Sequence, residues 1–158
     1  MPCDPDPRRM SEVPISIEQL VEDVQIAAIN FYEVSAVRTD DPGDPEGEAD
    51  VAPSYLLDTS TSEDGAGFRV RIRTEIDVAF GHIVVDLGAI YELNSLSALD
   101  ISPETLIDFV NGISIMTLVP YNRQAIADIT QRVFGASLTM PMIKRGELEF
   151  HISDAEEQ

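Results

Sequence analysis

The sequence predicts an α+β domain, a four-stranded, mostly antiparallel sheet followed by a long helix that packs on it and is broken at a proline. Three observations predict it. Apolar and charged residues alternate over 68–78, and a second alternating run covers 83–93, the period of half-buried strands. An apolar stripe at spacings of three and four covers 102–135, the period of an amphipathic helix. That stripe follows the strands instead of alternating with them, which separates this pattern from a parallel α/β fold.

Taken in order, residues 1–14 hold four prolines and mixed charge, which predicts a disordered lead-in to a domain spanning 15–152. Ser16 and Gln19 match a capping box, and Leu20, Val21 and Val24 give a short helical stripe behind it. Near Ala27 the period changes to two: Ile29, Phe31, Ser35 and Val37 alternate with Asn30, Tyr32, Val34 and Ala36. This predicts a strand with apolar residues on both faces. Residues 40–53 are acidic, rich in Pro and Gly and without periodicity, so they read as a loop or crossover.

A second strand is expected over 54–61, with Tyr55 and Leu57 on one face, and a hairpin turn over 63–67. In the third strand Phe68, Val70, Ile72, Ile76 and Val78 oppose Arg69, Arg71, Arg73, Glu75 and Asp77. Phe80-Gly81 supplies the next turn. The fourth strand sets Ile83, Val85, Leu87, Ala89, Tyr91 and Leu93 against Val84, Asp86, Gly88, Ile90 and Glu92, and Gly88 inside it predicts a bulge or a close backbone approach.

The helix opens on Ser102 as cap, Pro103 at its first position and Glu104 where the dipole favours an anion. Pro120 is expected to kink or interrupt it just before Tyr121, and Gly135 to stop it. Beyond it lie an apolar run over 138–143 and a short extended segment marked by Leu148, Phe150 and Ile152. An acidic tail, 153–158, is expected to fray.

The net charge is −19, with 16 acids against 3 basic residues in 1–66 and 13 against 7 in 67–158. Such a field repels nucleic acid and anionic membranes and attracts basic protein segments. The single cysteine, Cys3, rules out an intrachain disulfide and a cysteine-based metal cluster. The N-terminus has no apolar core of the signal-peptide kind, and no apolar run approaches the length of a membrane span. A soluble, cytoplasmic protein is expected.

Chemistry-bearing motifs are missing. His82 and His151 have no second histidine at metal-ligating spacing, and neither a nucleophile elbow, a Gly-rich phosphate loop nor a cysteine–histidine pair occurs. Neither an enzyme nor a cofactor or metal site is expected. The Arg69, Arg71, Arg73 row could meet phosphates, but Glu75, Asp77 and the overall charge favour a solvated sheet face.

Two stretches carry a family resemblance. The strand Val84-Val85-Asp86-Leu87-Gly88-Ala89-Ile90-Tyr91-Glu92-Leu93 resembles the last sheet strand of the SecB export chaperone. Leu118-Val119-Pro120-Tyr121-Asn122-Arg123 resembles that family's helical signature, and Phe134 to Pro141 its turn after the helix. The resemblance implies a dimer of dimers that holds unfolded polypeptides without ATP in apolar grooves. Tyr55, Tyr91, Leu93, Leu96, Leu99, Leu118 and Tyr121 are the positions expected near such a groove.

In the export chaperone an acidic sheet patch docks the translocase motor. Val84 and Asp86 match that patch here, and the three arginines beside them depart from it. The family's second C-terminal helix is shortened or replaced over 144–152. A helix before the first strand is similar to the SecB-like chaperones that guard antitoxins. Two other readings stand beside the holdase. One is an adaptor that binds a single dedicated partner on the same scaffold. The other is a hotdog-type thioesterase, disfavoured because its central helix comes early in the chain.

Overall fold

Residues 14–39, 53–140 and 148–151 are described by a computed structural model. The expectations for 1–13, 40–52, 141–147 and 152–158 lie outside them. A short helix, α1 (Ile17–Asp23), starts at the capping box: Ser16 Oγ accepts from the Gln19 amide, and the Gln19 side chain accepts from the Ser16 amide. Val24 is already extended, so the chain passes from α1 into β1 (Val24–Arg38) without a loop. Strands β2 (Ser54–Thr61), β3 (Gly67–Val78) and β4 (Gly81–Leu93) follow. All pairings are antiparallel, in the order β1-β4-β3-β2, which leaves β1 and β2 as edges among the described residues.

Two register shifts bend β1, between Ile26 and Ala28 and between Phe31 and Glu33. They correct the simple alternation expected there. Ile29 and Phe31 pair with Ala89 and Leu87 on the helix-covered face; beyond the second shift Val34 and Ala36 take over that face, opposite Val85 and Ile83. One inserted residue reverses which side chains point inward. Gly88 shows the close approach and not the bulge: a Cβ there would lie 3.0 Å from the Val70 carbonyl oxygen and 3.1 Å from the Tyr32 ring.

A 3-10 turn (Ala98–Asp100) leads into α2 (Pro103–Phe109), a π-helical turn (Val110–Ser114) and α3 (Ile115–Phe134). Ser102 caps α2 through the Thr105 amide, and Gly135, at φ 81°, ends α3 with its N–H on Gln131. The irregularity expected at Pro120 lies instead at the π turn, and α3 runs through the proline. Pro120 and Met116, four residues earlier, are both exposed, so the carbonyl deprived of its amide is on the solvated side.

The core lies between the sheet and α2–α3. Phe68, Tyr91 and Phe109 meet there with ring centroids 5.0 to 5.4 Å apart. The Tyr91 hydroxyl hydrogen-bonds Ser114 Oγ at 3.0 Å. Ser114, Leu118, Asn122, Ile126 and Thr130, four residues apart, form the buried ridge of α3, so polar and apolar groups alternate along it. Thr130 Oγ1 donates to the Ile126 carbonyl and accepts the Leu138 amide. The chain beyond α3 stays on the helices: Arg123 donates to the Met140 carbonyl, and Asn111 both donates to and accepts from the Phe150 backbone. Met140 and Phe150 are buried, and no helix follows α3 among the described residues.

Candidate functional site

Apolar side chains that the chain leaves uncovered are the most informative surface feature. Ile26, Phe31, Tyr32, Val34 and Val37 of edge strand β1 are all exposed, as are Leu56 on β2, Leu99, Met116 and Tyr121. A lone exposed leucine means little, whereas several apolar side chains together on an edge strand form a candidate contact surface.

The residues expected near a groove separate into three places. Tyr91 and Leu118 are core residues, 3% and 1% exposed, so this chain alone does not offer them to a client. Burial pushes the Tyr91 hydroxyl pKa up, partly offset by its hydrogen bond to Ser114. Leu93, Leu96 and Leu99 gather where β4 turns toward α2. Leu93 and Leu96 pack partly against the core, while Leu99, 63% exposed, stands over the β2–β3 turn near Gly65. Tyr55 is half-buried on the helix side of β2, and burial raises its pKa. Tyr121, 44% exposed, points the other way: with Phe31, Val34 and Ala125 it lines a cleft of about 300 Å³ between α3 and β1. The sequence did not single out Phe31 and Val34 as a pair, because the second register shift brings Val34 to the face of Phe31.

The end of β4 is fixed by Asp23, at the α1–β1 junction. Its carboxylate accepts the amides of Asn94, Ser95 and Leu96 and the Ser95 hydroxyl, at 2.7 to 3.1 Å. These bonds, the Leu96 amide first, hold its pKa below the ordinary value.

On the uncovered sheet face the arginine row is paired. Arg71 grips Asp86 with two hydrogen bonds of 2.7 Å, and Arg73 reaches Asp86, Glu33 and Glu75. The Tyr32 ring lies 4.1 Å from the Arg71 guanidinium, seated over Gly88. The Asp86 side chain is only 3% exposed; burial alone would raise its pKa, but Arg71 and then Arg73 bring it below the usual value. Val84 is buried as well. Both expected docking positions are therefore covered by this chain, and the face offers Tyr32, Leu56, Val37 and charge-paired arginines instead.

His82 Nδ1 lies 2.5 Å from Asp77 Oδ1, and among the described residues no group of His, Cys, Asp and Glu is arranged to hold a metal ion. No helix of the described residues is long and apolar enough to cross a membrane.

No family model matches the chain, and no curated protein matches it. Among solved structures it is similar to the Mycobacterium tuberculosis Rv1957 SecB-like chaperone, solved in complex with a ChAD peptide from the Rv1956 HigA1 antitoxin. The TM-score is 0.63 at 18% identity, over 81% of this chain and 96% of that one. A protein of unknown function from Streptococcus agalactiae also matches, at a TM-score of 0.47 and 8% identity, over 76% of this chain and 98% of that one. The first likeness establishes the fold as SecB-like: a four-stranded antiparallel sheet with a long helical element packed on one face.

Proposed function

We propose that this chain is an ATP-independent holdase, which binds unfolded or non-native polypeptide segments on apolar surface and has no catalytic activity. The observation that carries the reading is the exposed apolar surface left on a SecB-like fold, above all Leu99 and the Phe31–Val34–Tyr121 cleft. Contacts of this kind are non-directional and individually weak, so selectivity is low and clients must be extended. The acidic field raises encounter rates with basic client stretches. Of the positions expected near a groove, Tyr55, Leu93, Leu96, Leu99 and Tyr121 are the ones proposed to meet clients.

The working form is a homo-oligomer, a dimer of dimers in the cytoplasm. Support comes from β1, whose 15 residues have one ladder edge unpaired among the described residues and which, away from the Phe31–Val34–Tyr121 cleft, exposes Ile26 and Val37. A second copy pairing along that edge removes both liabilities at once. The test of function is suppression of aggregation of a denatured model protein at stoichiometric ratio without nucleotide. Failure to suppress it removes the reading.

A second reading has one observation in its favour: the similar Rv1957 chaperone was solved with an antitoxin peptide. On this reading the chain is an adaptor that protects one dedicated partner, such as an antitoxin segment, without serving general clients. A stoichiometric complex with one neighbouring gene product, and no effect on unfolded model proteins, would select it. The two positions expected to dock a translocase motor, Val84 and Asp86, are covered by this chain, and the exposed acids of the sheet include Asp58, Glu33, Glu75 and Asp77 instead.

A further inference from the structure

The short helix α1 makes a groove with the π turn that none of the surfaces above includes. It encloses about 430 Å³, with Ile17, Val21 and Ile113 as its apolar residues and Glu18, Glu22 and Asp108 as its acidic ones. Gly112, in the π turn, lines it without a side chain. Val21 is 45% exposed. Among the described residues none of the three carboxylates has a cation within ion-pair distance, although the open sheet face pairs its acids densely. Glu18 and Glu22 are also one turn apart on the same helix, an arrangement that destabilises a helix unless something positive intervenes.

A seven-residue helix does not persist by propensity alone. The fold nevertheless holds α1 in one place. The capping box fixes its start, Leu20 is wholly buried, Thr105 donates to the Ile15 carbonyl, and Asp23 fastens its end to residues 94–96. A helix so firmly anchored presents two carboxylates, unpaired among the described residues, and an exposed valine at a fixed spacing beside a third carboxylate.

We propose that this groove is a docking surface for polypeptide segments in which apolar residues are flanked by lysine or arginine. The apolar side chains would enter between Val21 and Ile113, and the cations would meet Glu18, Glu22 and Asp108. The charge complementarity identifies the occupant: an acidic or uncharged apolar segment would leave the three carboxylates beside a newly dried surface without compensation. The inference rests on the holding function only in taking the occupant to be an unfolded segment. It adds a second, charge-selective site to that function.

The experiment uses the full chain and short labelled peptides of alternating Lys-Leu, Glu-Leu and Lys-Ser, read by fluorescence anisotropy. The Lys-Leu peptide is expected to bind with an affinity that falls as salt rises, and the other two to bind much more weakly. Glu18→Gln, Glu22→Gln and Asp108→Asn together remove the like-charge repulsion without changing shape. They should weaken Lys-Leu binding about tenfold at low salt and flatten its salt dependence. Val21→Ser should weaken it at every salt concentration and leave the slope unchanged. Equal affinity for the Glu-Leu peptide, or a triple variant with unaltered affinity and slope, overturns the proposal. Aggregation suppression measured alongside separates it from the holding function. Groove-dependent peptide binding without suppression leaves the docking surface and removes the holdase; suppression with groove-independent peptide binding does the reverse.

Discussion

The Asp23 carboxylate gathers three consecutive backbone amides and one hydroxyl, and so joins the first helix to the loop that follows the last strand, more than seventy residues away in sequence. Its pKa is depressed in the folded state, so the stabilisation it contributes is present above the ordinary aspartate value of 3.8 and is lost as pH falls through the lower folded value. Asp23→Asn should therefore lower the melting temperature at neutral pH, and the gap from the parent should close in melts below about pH 4. Asp86 behaves in the same direction for a different reason: it is the shared counter-ion of two arginines on a sheet face. Asp86→Ala leaves Arg71 and Arg73 without it; with both arginines about one-third exposed, we expect a loss of about 2 kcal/mol in urea unfolding.

At the scale of elements, the capping box, the four strands, the hairpin turns and both helix ends follow from local chemistry, and the sequence shows all of them. What it does not show is where extra residues are absorbed. The shift between Phe31 and Glu33 sends Val34 to the face that simple alternation would give Val37, because a strand with apolar residues on both sides carries no signal for its own register. The same ambiguity hid the cleft formed by Phe31, Val34 and Tyr121. The helix is a parallel case. Proline at position 120 is the visible breaker, yet its lost hydrogen bond is on the wet side, and the extra residue is taken up at 110–114. Pro120→Ala should restore that bond with no loss of packing and stabilise the fold by about 1–3 kcal/mol, read as a higher urea midpoint at unchanged slope. Phe109→Ala, by contrast, opens a hole against Phe68 and Tyr91 and should cost about 3–5 kcal/mol.

For the whole molecule, the proposed assembly turns on the two sheet edges seen among the described residues. β2 is short and largely polar at its far end, but β1 is long, bent and apolar at an edge. Ile26→Glu together with Val37→Glu should lower the mass measured by light scattering to that of a single chain while far-UV circular dichroism stays unchanged. A variant that keeps the parent's mass would move the contact between copies elsewhere. The residues expected near a groove differ in burial for one physical reason. Sequence patterns separate apolar from polar, but inside from outside is decided by what the neighbouring elements cover, and Tyr91 and Leu118 are covered while Leu99 and Tyr121 are not.

The ridge of α3, with Ser114 against Tyr91 at one end and Thr130 receiving Leu138 at the other, also limits how the molecule can rearrange. Sliding the rod lengthwise by a single turn would bring Leu118 to the phenol's oxygen and take Thr130 away from the Leu138 amide. Those two contacts therefore fix the rod lengthwise, as wards fix a key, while leaving a swing away from the floor beneath it less constrained.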